Sequence, residues 1–437
     1  MSGQNPREIA VQILRRRETG ENYIEHLLEA EFAGAALSPA DRGLVQELAY
    51  GVVRWQATLD WLIDRKTKGR TQKSSLQILL RLGLYQMFWL DRIPDHAAVF
   101  ETVEIAKRLG FGPQAGFMNA VLRGYARERE ATKRLLEELK VQQPYLGYSH
   151  PAWLVERWTQ CWGPEKTRHL LELNNTPPKT YARVNTLKTD AGKLMEQWRN
   201  EGVEYDFFRR DWTGENLIFE LKSHPSLATI KSLQEGLFYV QDPSTLLAVH
   251  ALDPKPGETV LDYCAAPGGK TTLIAQLMEN HGLIVARDTS LERLKLLQEN
   301  CARLGVACVE GELPETSLHS ASPAPRFDKV LIDAPCSNSG VMRRRVDLRW
   351  RIRPEEIERL RTTQLGLLQS AAPRLKPGGK LVYSTCSLEP QENNQVVKEF
   401  LREHAEFKLE SERELLPFQD GVDGAYVARM RLSARRH

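Results

Sequence analysis

Two cysteines stand at the ends of two predicted strands, Cys336 in Asp333-Ala334-Pro335-Cys336-Ser337 and Cys386 in Ser384-Thr385-Cys386-Ser387. Both come after a glycine-rich strand-to-helix turn, Cys264-Ala265-Ala266-Pro267-Gly268-Gly269-Lys270-Thr271. In an open α/β sheet, ligands bind in the crevice at the carboxyl ends of the strands. A thiol at each of two such ends would face one bound substrate. Paired with a nucleotide-type turn, this predicts covalent chemistry on a ligand held beside a cofactor. Free cysteines are usually small buried hydrophobes. Here both follow β-type runs and precede small polar loop residues, which favours a chemical role.

The glycine turn restricts the cofactor. A phosphate-binding loop of the form G-x-x-x-x-G-K-[ST] is matched at Gly269-Lys270-Thr271, but its first glycine position is Cys264. A dinucleotide fingerprint needs G-x-G-x-x-G, and the turn has only Gly268-Gly269. Asp288 follows Gly268 by twenty positions, at the end of the next predicted strand, where an acidic residue characteristically accepts hydrogen bonds from a ribose. A ribose-bearing ligand without a pyrophosphate points to S-adenosyl-L-methionine. Lys270 then has no phosphate to bind, and is expected to donate a hydrogen bond that shapes the pocket or to lie solvated at the helix start.

The 437 residues exceed one typical core, so two or three domains are expected. A net charge of +3 and a pI near 8.4 are only mildly basic, so any nucleic-acid surface must come from local clustering. The six cysteines show no C-x-x-C pair and no histidine at zinc spacing. Reduced thiols in a cytoplasmic protein without a metal are the simplest expectation. The segment from Met1 to Arg17 interleaves charges with Ile9, Val11, Ile13 and Leu14 and lacks the apolar core of a signal peptide. The most apolar stretch, Leu76 to Leu90, is interrupted by Arg81 and is too short to span a bilayer.

The elements that must carry these residues fall into three blocks. Residues 1–142 read as a helical bundle, with helical spacing through Leu44, Leu48 and Val52 and through Ile78, Leu79, Leu82 and Tyr85. Ser38-Pro39-Ala40-Asp41 is a helix start with proline just after the cap. This block has no catalytic cluster and is expected to be a binding module. Residues 143–235 read as a small α+β unit, with strands at Tyr181 to Asn185 and Leu217 to Leu221. From 236 to 437, strands and helices alternate, which predicts a Rossmann-like α/β domain built on a parallel sheet with helices on both faces.

These residues resemble the RsmB/Fmu (Sun) family of ribosomal RNA cytosine-C5 methyltransferases over nearly the whole chain. Leu261 to Thr271 resembles its cofactor motif, and Asp333 to Gly340 and Tyr383 to Ser387 its two cysteine motifs. Arg183-Val184-Asn185-Thr186-Leu187 and Gln241-Asp242-Pro243-Ser244 resemble segments just before the catalytic fold, Tyr148 to Leu154 resembles a stretch typical of this branch, and the N-terminal block resembles a NusB-like RNA-binding domain. The resemblance implies methylation of 16S ribosomal RNA to 5-methylcytosine by a monomer that contacts no membrane, and RNA binding by both blocks that precede the catalytic domain, residues 1–142 and 143–235. It makes Cys386 the nucleophile, Cys336 the residue that assists release, and Asp333 the acid that contacts the base. It implies cofactor contacts from Cys264, Ala265, Ala266, Pro267, Gly268, Gly269, Lys270, Asp288, Glu312 and Asp333, and RNA contacts from Arg183 and Asn185. By spacing alone the two thiols fit either assignment.

The implied chemistry explains the residue types. C5 of cytosine is a poor nucleophile, and a thiolate adding at C6 makes C5 enamine-like and able to take a methyl group. The C5 proton must then leave and the thiolate be expelled. An acid hydrogen-bonded at N3 supports the charge shifted into the ring, and the thiolate needs a pKa below the usual value for a free thiol.

Two departures from the family pattern stand out. The third cofactor segment has Gly311-Glu312 where Gly-Asp is usual, and the R-R-H-P-D-x-x-W stretch reads Arg344-Arg345-Val346-Asp347-Leu348-Arg349-Trp350, without the His-Pro. Arg343, Arg344 and Arg345, with Arg349, Arg351 and Arg353, form a basic cluster just after the Cys336 loop, expected to hold the RNA backbone while the target base is turned out. Two rival readings are an inert RNA-binding assembly factor, against which both cysteines, Asp333 and the glycine turn are present, and a P-loop NTPase, which Cys264 contradicts.

Overall fold

The computed structural model describes residues 5–20, 22–34, 37–70, 72–215, 217–313 and 326–434. Its chain divides into two compact units, Met1–Thr176 with Met342–Arg351, and Pro177–Val341 with Ile352–His437. No helix among the described residues is long and apolar enough to cross a membrane.

The first unit is helical. Helix Pro39–Arg54 starts as its sequence dictates: the Ser38 side chain accepts from the Asp41 amide at 3.1 Å, with Pro39 in the first turn. The apolar stretch forms helix Ser74–Trp89, buried from Ile78 to Met87 on every face. An all-round apolar helix needs packing on all sides, and helices Pro6–Thr19, Pro39–Arg54, Gln56–Thr67, Asp95–Arg108 and Ala115–Arg127 supply it. Arg81 is enclosed there because Asp60 and Glu18 accept from its guanidinium at 2.7 and 2.8 Å. By compactness, helices Ala152–Trp162 and Pro164–Asn174 fall within this unit.

The second unit begins with a four-stranded antiparallel sheet of β1 (Thr180–Val184), β2 (Glu204–Phe208), β3 (Ile218–Ser223) and β4 (Phe238–Val240), in the order β2-β3-β1-β4. Trp198, on helix Ala191–Glu201, lies edge-on to Phe219 and Phe238 and is fully buried.

A seven-stranded sheet follows, made of β5 (Thr259–Asp262), β6 (Leu283–Arg287), β7 (Val309–Glu312), β8 (Phe327–Asp333), β9 (Leu375–Thr385), β10 (Phe407–Leu415) and β11 (Ala425–Leu432). Its order is β10-β11-β9-β8-β5-β6-β7. The five strands β5 to β9 are parallel, as expected. The last two run antiparallel, β11 against β9 and β10 against β11, so the sheet is mixed. The link from Leu415 to Ala425 is too short for the crossover that a parallel pair needs. The chain builds outward from β5 through β6 to β7, then returns to place β8 on the other side of β5. That reversal opens a crevice at the carboxyl ends of β5 and β8.

Candidate active site

Three carboxylates converge at those strand ends. Asp262 closes β5, Asp333 closes β8, and Asp288 directly follows β6. Between them runs the turn from Tyr263 to Gly268. Gly268 has φ +103°, a conformation that side chains resist, and an added Cβ would lie 3.2 Å from Leu297. Asp288 is buried and organises the turn, accepting from the amides of Ala266 and Ser290 at 3.2 Å each. The amide of Asp288 in turn donates to the carbonyl of Glu312 at the end of β7, which brings Glu312 to the same rim. Ala265 and Ala266 are buried, Pro267 is exposed, and Gly269 opens the following helix.

Asp262 is fully buried, and Thr271 donates to its Oδ2 at 2.7 Å. Its Oδ1 has no protein partner. Burial, together with the neighbouring Asp333 and Asp288, pushes its pKa up to about 7. Burial and the same three carboxylates push the Cys264 thiol upward, so Cys264 lines the pocket as a neutral group. A buried carboxyl oxygen without a protein partner beside two further carboxylates marks this strand-end cluster as a candidate ligand site.

The two thiols meet. Parallel pairing puts Asp333 opposite Ser384, and Ala334 donates to the Ser384 carbonyl at 2.8 Å. The loops beyond therefore start level, and Cys336 Sγ lies 3.4 Å from Cys386 Sγ. Asn338, at φ +56°, bridges them: its Nδ2 donates to the Cys336 carbonyl at 2.7 Å, and Cys386 Sγ donates to its Oδ1 at 3.0 Å. Gly340 joins the loops, its amide donating to the Cys386 carbonyl at 3.0 Å. A Cβ there would lie 2.7 Å from that oxygen and 2.8 Å from the Gly424 Cα. The hydrogen bond with Cys386, then burial and the charges of Cys386 and Glu392, push the Cys336 thiol well up.

Lys270 is neither a phosphate ligand nor solvated. Its Nζ lies 2.6 Å from Asp333 Oδ2, and although burial opposes its charge, Asp333 and Cys386 hold the ammonium above its usual range. One ion pair thus connects the glycine turn to the thiol loops.

Several expected RNA contacts have internal partners instead. Arg183 is 1% exposed and donates to Gln241 Oε1, the Gly269 carbonyl and Thr272 Oγ1 at 2.6, 2.8 and 3.0 Å. Asn185 is 2% exposed and donates to the carbonyls of Gly236 and Leu304 at 2.8 Å each. These two residues tie β1 to the glycine turn and to helix Leu291–Leu304. The basic cluster is divided as well: Arg343 is buried, Arg344 half-buried and Arg345 exposed. Arg349 is enclosed in the first unit, bonded to the carbonyls of Arg54, Ser149 and Asn174 and to Asn175 Oδ1. Arg345 is the member of the cited three with an open face.

Asn338, Gly340, Ser337, Ser387 and Glu392 were not singled out from sequence individually. The small polar residues after each cysteine were the available signal, since such residues form hydrogen-bonded loops.

Comparison with known proteins agrees across the chain. Residues 249–431 match the family described as 16S rRNA methyltransferase RsmB/F, residues 4–127 the NusB family, and residues 150–210 the ferredoxin-like domain of RsmF/B-like methyltransferases. The probable ribosomal RNA small subunit methyltransferase B of Bacillus subtilis (strain 168) is 36% identical, covering 99% of each chain. Ribosomal RNA small subunit methyltransferase B of Vibrio vulnificus (strain YJ016) is 35% identical, covering 97% of this chain and 98% of its own. The crystal structure of a methyltransferase homolog protein from Pyrococcus horikoshii superposes with a TM-score of 0.56 at 33% identity, covering 66% of this chain and 97% of that one. With paired thiols at a strand-end crevice and this likeness along its whole length, the chain belongs to the RsmB/F family of 16S rRNA methyltransferases.

Proposed function

We propose that this enzyme forms 5-methylcytosine in 16S ribosomal RNA, with Cys386 adding to C6 of the target base and S-adenosyl-L-methionine as methyl donor. The observation that carries the reading is the pair of thiols 3.4 Å apart beside the Lys270–Asp333 ion pair and the acid-ringed pocket. The pocket suits the donor: it offers carboxylates to a cation, Asp288 to a ribose, and a glycine turn that admits close approach. When bound there, the sulfonium supplies the methyl group.

The chain's own residues do the rest. Asp333 meets the cytosine ring at N3 and passes it a proton, which the paired Lys270 ammonium replaces, so the negative charge entering the ring on thiolate addition is neutralised. The sulfur of Cys386 bonds to C6, which raises electron density at C5. After C5 is methylated its proton passes to solvent, the electron pair left behind forms the C5–C6 double bond, and the C6–sulfur bond breaks to return the Cys386 thiolate, with Cys336 assisting this release. The NusB-like bundle and the exposed Arg345 contribute to holding the RNA, in keeping with a cytoplasmic enzyme that acts on ribosomal RNA as a monomer.

Bisulfite mapping of 16S rRNA from cells with and without the protein tests this. One cytosine should lose its protection from conversion when the protein is absent. Unchanged maps, with methyl transfer to another atom or base, would refute it.

A further inference from the structure

Each cysteine is followed by a serine, and both serines converge on a single buried carboxylate. Glu392 is fully enclosed. Its Oε1 accepts from the Ser337 amide at 2.8 Å and from Gln364 Nε2 at 3.1 Å. Its Oε2 accepts from the hydroxyls of Ser337 and of Ser387, the latter at 2.5 Å. Burial raises the Glu392 pKa above the ordinary carboxylate value, and the amide donors on one oxygen and hydroxyls on the other oppose that rise by favouring the anion. Asn393 adds to the clamp, its Nδ2 donating to the Ser387 carbonyl at 2.9 Å and its Oδ1 accepting from Thr385 at 2.6 Å. The Tyr383 hydroxyl donates to the Glu392 carbonyl at 2.6 Å.

The charges around the two sulfurs are unequal. Glu392 acts on Cys336, whereas the Lys270 ammonium interacts with Cys386. The other titratable groups here are Asp333 on Lys270, Tyr383 facing Cys336 and Glu392 with Tyr426 behind it, and Glu414 through Asn393.

We propose that Glu392 is a positioning residue that holds both cysteine loops in register and keeps Cys336 protonated, leaving Cys386, which donates to Asn338 Oδ1 at rest, as the sulfur that ionises and attacks. This rests on the reading of Cys386 as nucleophile given above. Glu392 touches neither substrate nor cofactor in this role. It acts through Ser337 and Ser387 on the backbone beside each sulfur, and through its charge on Cys336.

Pulse alkylation of the full-length protein with iodoacetamide between pH 6.5 and 8.5, read by peptide mass spectrometry, tests it without RNA. Thiolates alkylate and thiols do not, so Cys386 in the unaltered protein should react about tenfold faster than Cys336. In Glu392→Gln the preference should fall to about threefold or less, with kcat for methyl transfer reduced and KM for RNA little changed. An unchanged alkylation preference in a folded Glu392→Gln protein overturns the proposal. Should that variant fail to fold, Glu392→Asp decides, because it keeps the charge on a shorter side chain. A preserved preference with slower methyl transfer supports the proposal, and a lost preference overturns it. An intact, Glu392-dependent preference in a protein that methylates no cytosine would count against the proposed reaction alone.

Discussion

The buried charges of the two units are satisfied in different ways. In the first unit Asp347 is fully enclosed, and Arg17, Arg351 and the Ile24 amide all point at its carboxylate. Arg349, two residues on, has both terminal nitrogens bonded to protein oxygens. Trp350 donates to the Val53 carbonyl at 2.7 Å, and Val346 joins the bundle core. In the second unit Asp262 is equally buried but keeps one oxygen without a protein partner, and Cys336 and Cys386 have each other and one asparagine. Buried polar groups are normally paired. In segment 342–351 the Asp347 carboxylate and the terminal nitrogens of Arg349 follow that rule, Arg349 Nε alone being left without a hydrogen bond, and the segment works as a structural plug, while in the strand-end cluster it is a carboxylate oxygen that goes unpaired, where a ligand is expected.

That contrast can be broken by substitution. Asp347→Ala strands Arg17 and Arg351 beside an empty site, so it should destabilise the first unit by about 3–5 kcal/mol, seen as a lower thermal midpoint. Affinity for S-adenosylmethionine should stay unchanged in the protein that remains folded. Loss of cofactor affinity with the midpoint intact would reverse the roles given to the two clusters.

Asp262 should behave oppositely. Its folded pKa is raised from 3.8 to about 7. Between these values the folded state holds a proton that the unfolded state has released. Stability from this group is therefore greatest below about pH 4 and falls as pH rises through about 7. The fall is on the order of 4 kcal/mol without ligand. Asp262→Asn should remove this slope in pH-dependent denaturation of the ligand-free protein while weakening cofactor binding. An identical slope in both proteins would show that Asp262 carries no such strain.

A smaller effect sharpens the picture of the pocket. Asp288→Ala should weaken S-adenosylmethionine by about 1–3 kcal/mol in calorimetry, from a lost ribose hydrogen bond. Because Asp288 also accepts from Ala266 and Ser290, Asp288→Asn separates ligand contact from turn geometry. Equal affinity in all three proteins would end the ribose assignment.

The same contrast marks what could be read from the sequence. The glycine turn, Asp288 and the two thiols were legible because each is a local pattern at a strand end. The helical block was legible through its periodicity. Arg183, Asn185 and Arg349 show no local sign of their internal partners, which lie far along the chain: Gln241 is 58 residues from Arg183, Leu304 is 119 from Asn185, and Arg54 is 295 from Arg349. A run of arginines has the same appearance whether it is solvated or inserted into a core. The antiparallel edge of the large sheet has no signal within its strands, because strand direction depends on the connection, and here only the short link before β11 carries it. Glu392 gave no local signal, since its role exists only where two loops meet.

Trapping the RNA on the protein tests the division between the thiols most directly. Variants Cys336→Ala and Cys386→Ala are each incubated with 16S rRNA and S-adenosylmethionine and then separated by denaturing gel electrophoresis. Removing the nucleophile blocks the first step, and removing the release group stalls the last. Cys336→Ala should therefore accumulate a protein–RNA species that survives denaturation, and Cys386→Ala should form none and methylate nothing. An adduct with Cys386→Ala and none with Cys336→Ala would contradict the assignment, as would full activity in both.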